Sequence, residues 1–338
     1  MTLNDHEANP SAVLYGIGDL RVEERPVPRP AVGQVLVRIG AVGVCGSDVH
    51  YYDHGRIGDY VVRAPMVLGH ESAGTIVAVG AGVEPTRVGE LVAIEPGVPD
   101  YTCEECLHGR YNLCVNMRFF ATPPIDGALA KYVAIDARFA HRAPDGMSAE
   151  EAAMAEPVSV GLWACRKAAV SVGDRVLVTG AGPVGLFAAQ VARAFGATSV
   201  GISDVAAARR TAAAELGFTA YDAAHLPEES FDVLLECSGA PSAIVDGLRH
   251  LVPAGRAVLI GMGPDEVAVP LPLVQNRELV VTGVFRYANT YPDALDLIAR
   301  GAIDLGMAIT HRFTLEEAEQ ALTIARRDER TIKPVVLP

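Results

Sequence analysis

The chain has 338 residues, half of them hydrophobic, and 28 basic against 41 acidic side chains give a formal charge of −13. That length allows two domains with a core each, and the negative field argues against nucleic acid or an anionic membrane as partner. No apolar run reaches membrane-spanning length. The opening MTLNDHEANP has neither a basic n-region nor an apolar h-region. The expectation is a cytoplasmic protein whose six cysteines are metal ligands, reactive groups or core residues rather than disulfides.

Short β-rich segments fill the first part. GQVLVRIGAVGVC (33–45), AGTIVAVG (73–80) and ELVAIEPG (90–97) are dense in β-branched residues and bounded by glycine. PVPRP (26–30) and TPPIDG (122–127) mark turns or loops. Together they predict a barrel-like β domain. Near residue 150 the pattern changes. DRVLVTG (174–180) reads as a buried strand and 183–196 as a helix; TSVGISD (198–204) is a strand and VAAARRTAAAELG (205–217) a helix. FDVLLECSG (231–239), a helical stretch at 241–251, GRAVLIGMG (255–263) and ELVVTGVF (278–285) continue the alternation, which implies a parallel sheet covered on both faces. Composition shifts again after about 287. Thr314 with Glu317 three residues on is a capping-box start for an amphipathic helix over 314–327, and IKPVVLP predicts a last strand.

Within the alternating part, VTGAGPVG places Gly180, Gly182 and Gly185 in the G-x-G-x-x-G pattern between strand and helix. The first glycine permits the tight turn, the second lets backbone approach a pyrophosphate, and the third allows close helix–strand packing. Pro183 suits the first helical turn, whose free N–H groups favour an anion. Asp204 ends the next strand. Its carboxylate can accept from ribose hydroxyls and repels a 2′-phosphate, which predicts NAD over NADP. Arg209 and Arg210 lie close downstream as alternative phosphate receivers. A glycine-rich turn without cofactor is the plainer alternative.

His70 and Glu71 stand side by side in the apolar run APMVLGHESAG (64–74). They read either as a hydrogen-bonded core pair, an exposed turn, or groups that hold something. Cys45 in GVCGSDVH and Glu156 in MAEPVSVG complete a thiolate, imidazole and carboxylate set suited to a catalytic zinc with an open position. Taken singly, Cys45 is a small core residue and Glu156 an ordinary helix-start acid. In DYTCEECLHGRYNLC (100–114), Cys103, Cys106 and Cys114 share one loop with Asp100. Cys165 and Cys237 lie in apolar contexts and read as inert.

The chain resembles the zinc-dependent medium-chain alcohol dehydrogenases, and within them the sorbitol/xylitol (polyol) dehydrogenase branch. GVCGSDVHYYDHGRIGDYVVRAPMVLGHESAG (43–74), ATPPIDGALAKYV (121–133), AEPVSVGLWACR (155–166), VTGAGPVG (178–185) and GVFRYANTYPDAL (283–295) carry the resemblance over essentially the whole chain. It implies an α/β protein, a Rossmann doubly wound parallel sheet plus a β-rich GroES-like barrel catalytic domain. The catalytic domain would take 1–157, the NAD-binding domain 158–286, and 287–338 would return to the catalytic domain. It implies a catalytic zinc on Cys45, His70 and a carboxylate, with Glu71 as ligand or near-ligand and Glu156 the other candidate, and a structural zinc, which some members of the branch lack, on Asp100, Cys103, Cys106 and Cys114. There Asp100 replaces the first cysteine of C-x2-C-x2-C-x7-C.

By the same resemblance Ser47 and His50 form a proton path. Tyr51, Phe119, Thr122, Glu156, Arg286 and Tyr287 meet the substrate. Gly180, Gly182, Pro183, Val184, Gly185, Asp204, Arg209, Gly261, Met262, Phe285 and Arg286 meet the cofactor. The implied activity is zinc- and NAD-dependent oxidation of a small-molecule polyol to a ketose, in a homo-oligomer of the tetrameric kind. A related dehydrogenase for threonine, butanediol or an aldose is the nearest alternative. An inactive nucleotide-binding structural or sensor protein is the alternative of another class.

Overall fold

The structure is a computed structural model, and residues 8–228 and 230–338 are described. The chain divides into two compact units. One comprises residues 1–156, 291–299 and 309–338, the other 157–290 and 300–308. Residues 287–290 and 300–308 thus belong with the parallel sheet, where the sequence reading places all of 287–338 in the other domain.

The first unit is built on a seven-stranded sheet. Its central strand, Gln34–Gly43, pairs antiparallel with Glu71–Val79 on one side and with Lys333–Leu337 on the other. The near-continuous apolar run in QVLVRIGAVG explains the central placement: Val35, Leu36, Val37, Ile39 and Val42 are all buried. The pairing brings three distant segments together, since Gly43 stands opposite Glu71 on one flank and Val335 on the other. A three-stranded sheet of Asn9–Gly16, Asp19–Arg25 and Met66–Val67 packs into the same core.

Two departures from the sequence reading matter here. Residues around Ser47 and His50, to which the sequence reading gives no helix, form one, Gly46–His54, with Cys45 at its N-cap. The apolar pattern of GSDVHYYDH is too weak to signal a helix. Its start is fixed instead by Asp48, whose side chain accepts the Cys45 N–H at 3.0 Å. The helix expected over 314–327 is also split. A 3₁₀ turn at Leu315–Glu317 leads into a short α-helix, Ala318–Thr323, and a second 3₁₀ turn, Ile324–Arg326. The capping box is present, with Thr314 N–H donating to Glu317 at 3.0 Å. At the other end the Thr323 hydroxyl donates to the Glu319 carbonyl at 2.9 Å, competing with continuation of the helix.

The second unit holds a six-stranded, wholly parallel sheet. In spatial order its strands are Thr219–Asp222, Ser199–Asp204, Arg175–Thr179, Phe231–Glu236, Leu251–Leu259 and Val280–Gly283. This is the 3-2-1-4-5-6 order of a doubly wound dinucleotide-binding sheet, which turns back between Arg175–Thr179 and Phe231–Glu236. Val176, Leu177, Val178, Val233, Leu234 and Leu235 are fully buried, as expected for strands covered on both faces. The strand at 219–222 and the helix Leu271–Asn276 carry too little periodicity to be read from sequence.

Candidate metal centre and dinucleotide site

In the first unit, one ligand atom each from Cys45, His70 and Glu71 lies within 4.8 Å of the others. Each is set by local structure. Cys45 caps the helix Gly46–His54, His70 follows the left-handed Gly69, and Glu71 opens its strand. Glu156 is buried in the first turn of helix Ala155–Lys167 and lies outside this three-donor cluster. A thiolate, an imidazole and a carboxylate at such spacing fit zinc with one position left open. The donor set therefore suits the metal that the sequence implies.

Two partners of this cluster were not anticipated from sequence. Asp48, 1% exposed, has Oδ1 at 3.5 Å from Nδ1 of His70 and accepts the Gly69 N–H at 2.9 Å. A carboxylate behind one imidazole nitrogen fixes the ring and leaves the other nitrogen for a metal. Burial works to raise the Asp48 pKa, but His70 and the two backbone N–H groups hold it below the ordinary range. Burial likewise opposes charge on His70, and Asp48 and Cys45 beside it overcome that and raise its pKa well above the usual value. Loading a cation there displaces that proton. The second partner is Lys333, whose Nζ donates to both oxygens of Glu71, at 2.6 and 2.7 Å. Burial disfavours its ammonium, while Glu71, Cys45 and Glu156 outweigh burial and raise its pKa. A lone lysine within IKPVVLP, and an aspartate three residues after Cys45, were the available signals.

Other residues named from sequence lie in the same unit. The Phe119 ring lies 5.9 Å from that of His70, and Tyr51 is buried. Ser47 is half-buried and His50 exposed on the Gly46–His54 helix, with His50 at 4.5 Å ring to ring from His54. Thr122 is half-buried just before the Pro123-Pro124 peptide. Arg286 and Tyr287 belong to the second unit.

The cysteine loop forms a second four-donor cluster of Asp100, Cys103, Cys106 and Cys114, again within 4.8 Å. Sγ of Cys103 and Cys106 are 3.4 Å apart, and Cys106 is 3.4 Å from Oδ1 of Asp100. The Asp100 carboxylate also organises the loop, accepting N–H groups of Cys103 at 3.0 Å and Thr102 at 2.9 Å and the Asn116 amide at 2.7 Å. Those donors, Cys103 N–H foremost, hold it well below the usual carboxylate range. Desolvation pushes the Cys106 thiol up to about 12. Three sulfurs and a carboxylate fit a closed, four-coordinate zinc site. Cys165 and Cys237 sit apart from both clusters, their thiols pushed up by burial.

In the second unit the glycine-rich turn is as its spacing implies. Gly180 has φ +89°, Gly182 caps helix Pro183–Ala194, and a Cβ on Gly185 would fall 1.8 Å from the Gly180 carbonyl. Asp204 accepts the Ala181 N–H on Oδ2 and the Ala206 N–H on Oδ1, both at 2.8 Å, which fixes its carboxylate beside the turn. A cavity of about 320 Å³ opens there, lined by Gly180, Asp204, Ser238 and Ala240 among others. Arg209 carries a buried Nη1 with no partner, an open donor that suits a ribose or phosphate oxygen. Burial lowers its pKa, with Asp204 opposing. Arg210 is committed elsewhere, to the carbonyls of Asp204 and Val205 and to Asp222 at 3.3 Å.

Glu236 is a further functional candidate that sequence reasoning missed. Fully buried at the end of its strand, it accepts from Ser238 Oγ at 2.5 Å, Ser238 N–H at 2.8 Å and Gly239 N–H at 3.1 Å. It shapes the loop against which Gly261 packs, where a Cβ would lie 2.2 Å from Gly239 N. Val184 is half-buried on the first turn of its helix; Met262 and Phe285 are exposed, and the Arg286 guanidinium lies 4.7 Å from the Phe285 ring centre.

Comparison with known proteins agrees with both halves of this arrangement. Residues 31–145 match the alcohol dehydrogenase GroES-like domain and 183–300 the zinc-binding dehydrogenase domain. The sorbitol dehydrogenase of Gallus gallus is 44% identical over 95% of this chain and 94% of its own length. The crystal structure of L-idonate 5-dehydrogenase from Escherichia coli K-12 superposes with a TM-score of 0.93 at 28% identity, covering 98% of this chain and 99% of the other. A zinc-binding dehydrogenase from Sinorhizobium meliloti 1021, solved with NADP, gives 0.91 at 28% identity, covering 98% and 100%. Fold and site thus define an oxidoreductase that joins a zinc-binding, GroES-like unit to a dinucleotide-binding one. The chain belongs to the zinc-dependent medium-chain alcohol dehydrogenase family, in its polyol dehydrogenase branch, and its cofactors are zinc and NAD. Among the described residues no helix is long and apolar enough to cross a membrane.

Proposed function

We propose that this enzyme oxidises a secondary alcohol of a sorbitol- or xylitol-like polyol to the ketose, delivering the hydride to NAD and one proton to solvent. The observation that carries the reading is the convergence of Cys45, His70 and Glu71 within 4.8 Å. When bound, zinc supplies Lewis-acid polarisation of the substrate hydroxyl, and NAD supplies the hydride acceptor.

The chain's own groups do the rest. Asp48 orients His70, and Lys333 holds Glu71 in place. Ser47 and His50, three residues apart and so on one side of a short helix, move the hydroxyl proton outward. Tyr51, Thr122 and Glu156 of the first unit bind the hydroxyl chain, which needs many donors and acceptors, and Phe119 packs against its carbons. Asp204 and Arg209 take the adenosine ribose, with Gly182, Pro183 and Val184 at the pyrophosphate.

Asp100, Cys103, Cys106 and Cys114 hold a second zinc that fixes their loop. Assembly into a homo-oligomer uses the edge strand Val280–Gly283, which among the described residues pairs on one side only and exposes Val280 and Val281.

The test is NAD⁺ reduction with a panel of sorbitol, xylitol, threonine, 2,3-butanediol and an aldose, before and after chelation. Polyol turnover that is lost on chelation and restored by zinc supports the reading. Preference for another substrate, or no turnover on any with zinc bound, refutes it.

A further inference from the structure

Lys333 touches no reacting atom in the chemistry above, where it only holds Glu71, yet the fold buries it to 2% exposure beside the donor cluster. Its ammonium has three N–H donors, and all are used: Glu71 Oε1 at 2.6 Å, Glu71 Oε2 at 2.7 Å and the Val44 carbonyl at 3.0 Å. Further along the same strand, Val335 and Val336 are fully buried, so this sheet accepts apolar residues. A buried ion pair is weak evidence for stability, since apolar replacements often do as well. Glu71 has a double engagement. Its carboxylate belongs to the three-donor cluster, while both of its oxygens are already claimed by a fixed positive charge.

We propose that Lys333 is a positioning residue that competes with zinc for the Glu71 carboxylate, holding Glu71 in place while limiting its grip on the ion. The proposal rests on the reading that Glu71 is a zinc ligand. A thiolate and a carboxylate together would neutralise a divalent cation. An ammonium drawing on the carboxylate leaves net positive charge at the centre and lowers its affinity. Without Lys333, zinc faces one like charge fewer, and the empty site is left with an unpaired buried carboxylate. Both effects widen the gap between loaded and empty forms.

The test uses the full-length protein carrying Lys333→Met, Lys333→Arg or Glu71→Gln. Zinc affinity is read by chelator competition, following the ion whose release tracks loss of turnover, and Tm is read with and without zinc. Lys333→Met should bind zinc about ten- to a hundredfold more tightly, as for removing a like charge a few ångströms from the ion. Zinc should also raise its Tm by more than it raises that of the wild type, and Lys333→Arg should return affinity towards wild type. Mere structural damage would loosen the ion instead. Equal or weaker zinc binding by folded Lys333→Met overturns the proposal. If that variant folds only with zinc, release into excess chelator is timed instead: slower release supports the proposal, equal or faster release overturns it. Glu71→Gln separates the two readings. Weakened zinc there, with Lys333→Met unchanged, sinks the competition and keeps the ligand; unchanged zinc in Glu71→Gln removes both.

Discussion

Asp48 stands behind His70, its Oδ1 3.5 Å from Nδ1, while the same carboxylate accepts N–H groups from Gly69 at 2.9 Å and Cys45 at 3.0 Å. One buried acid therefore ties together the two segments that deliver the sulfur and nitrogen donors. Asp48→Asn keeps the size but removes the charge and forces an amide N–H toward one of these donors. Expected is a ten- to hundredfold loss of zinc affinity, about the size seen when partners of metal ligands are changed. Stability should fall by about 1–3 kcal/mol. Chelator competition and urea unfolding measure the two, and an unchanged zinc affinity contradicts the positioning role.

Cofactor choice is predicted to turn on Asp204 and Arg209. The carboxylate is pinned by the Ala181 and Ala206 N–H groups and opposes a 2′-phosphate, while Arg209 keeps an open buried donor. Asp204→Ala should lower kcat/KM with NAD by about ten- to a hundredfold, the worth of a charged hydrogen bond, and improve use of NADP. The ratio of kcat/KM for the two coenzymes is the measurement. A ratio that does not move excludes Asp204 as the discriminator.

The cysteine loop makes a separate prediction about metal content. With Asp100, Cys103, Cys106 and Cys114 as one closed site, the protein should carry two zinc ions per chain. Cys106→Ser should reduce that to one and lower Tm, while the remaining ion still supports turnover. Elemental analysis of protein purified with zinc gives the count. One ion in the wild type, or two in the variant, means that this loop binds none through Cys106.

Assembly is tested at the edge strand. Val281, 40% exposed on Val280–Gly283, pairs with Ala257 on one side and, among the described residues, with no strand on the other. Val281→Lys places a charge where a second copy would pair, the device by which natural edges resist association. The variant should sediment as a smaller species than the wild type at equal concentration. Identical sedimentation places the interface elsewhere.

How far the sequence revealed this depends on whether the signal is local. The glycine triplet, Pro183 and Asp204 lie within one strand–helix–strand unit, so their spacing alone gives the turn and its acid. Cys45, His70 and Glu71 could be named as donors from chemistry and resemblance, but only strand register brings them together. Asp48 and Lys333 were not legible. One is an unremarkable acid in a weakly patterned helix, and the other acquires its meaning from pairing with a residue 262 positions away. Glu236 escaped for the same reason, because its partners Ser238 and Gly239 become significant only once the strand end is buried.

Gly43 offers a test that touches no ligand directly. It pairs with Glu71 across one strand boundary and with Val335 across the other, so the acid and the Lys333 strand meet over its missing side chain. A Cβ there would lie 2.1 Å from Glu71 Oε2 and 3.0 Å from Met154 Cε. Glu71 is 1% exposed, so its carboxylate has little free space in which to withdraw. Gly43→Ala should therefore push the carboxylate off both Lys333 and the donor cluster, at a cost of about 1–3 kcal/mol for overpacking. Zinc should be lost with it. Gly46→Ala is the matched control, since a Cβ at Gly46 meets nothing within 4 Å and the residue begins a helix. The control should keep its zinc and its stability. Equal zinc retention in both variants would show that the position of the Glu71 carboxylate does not govern the ion.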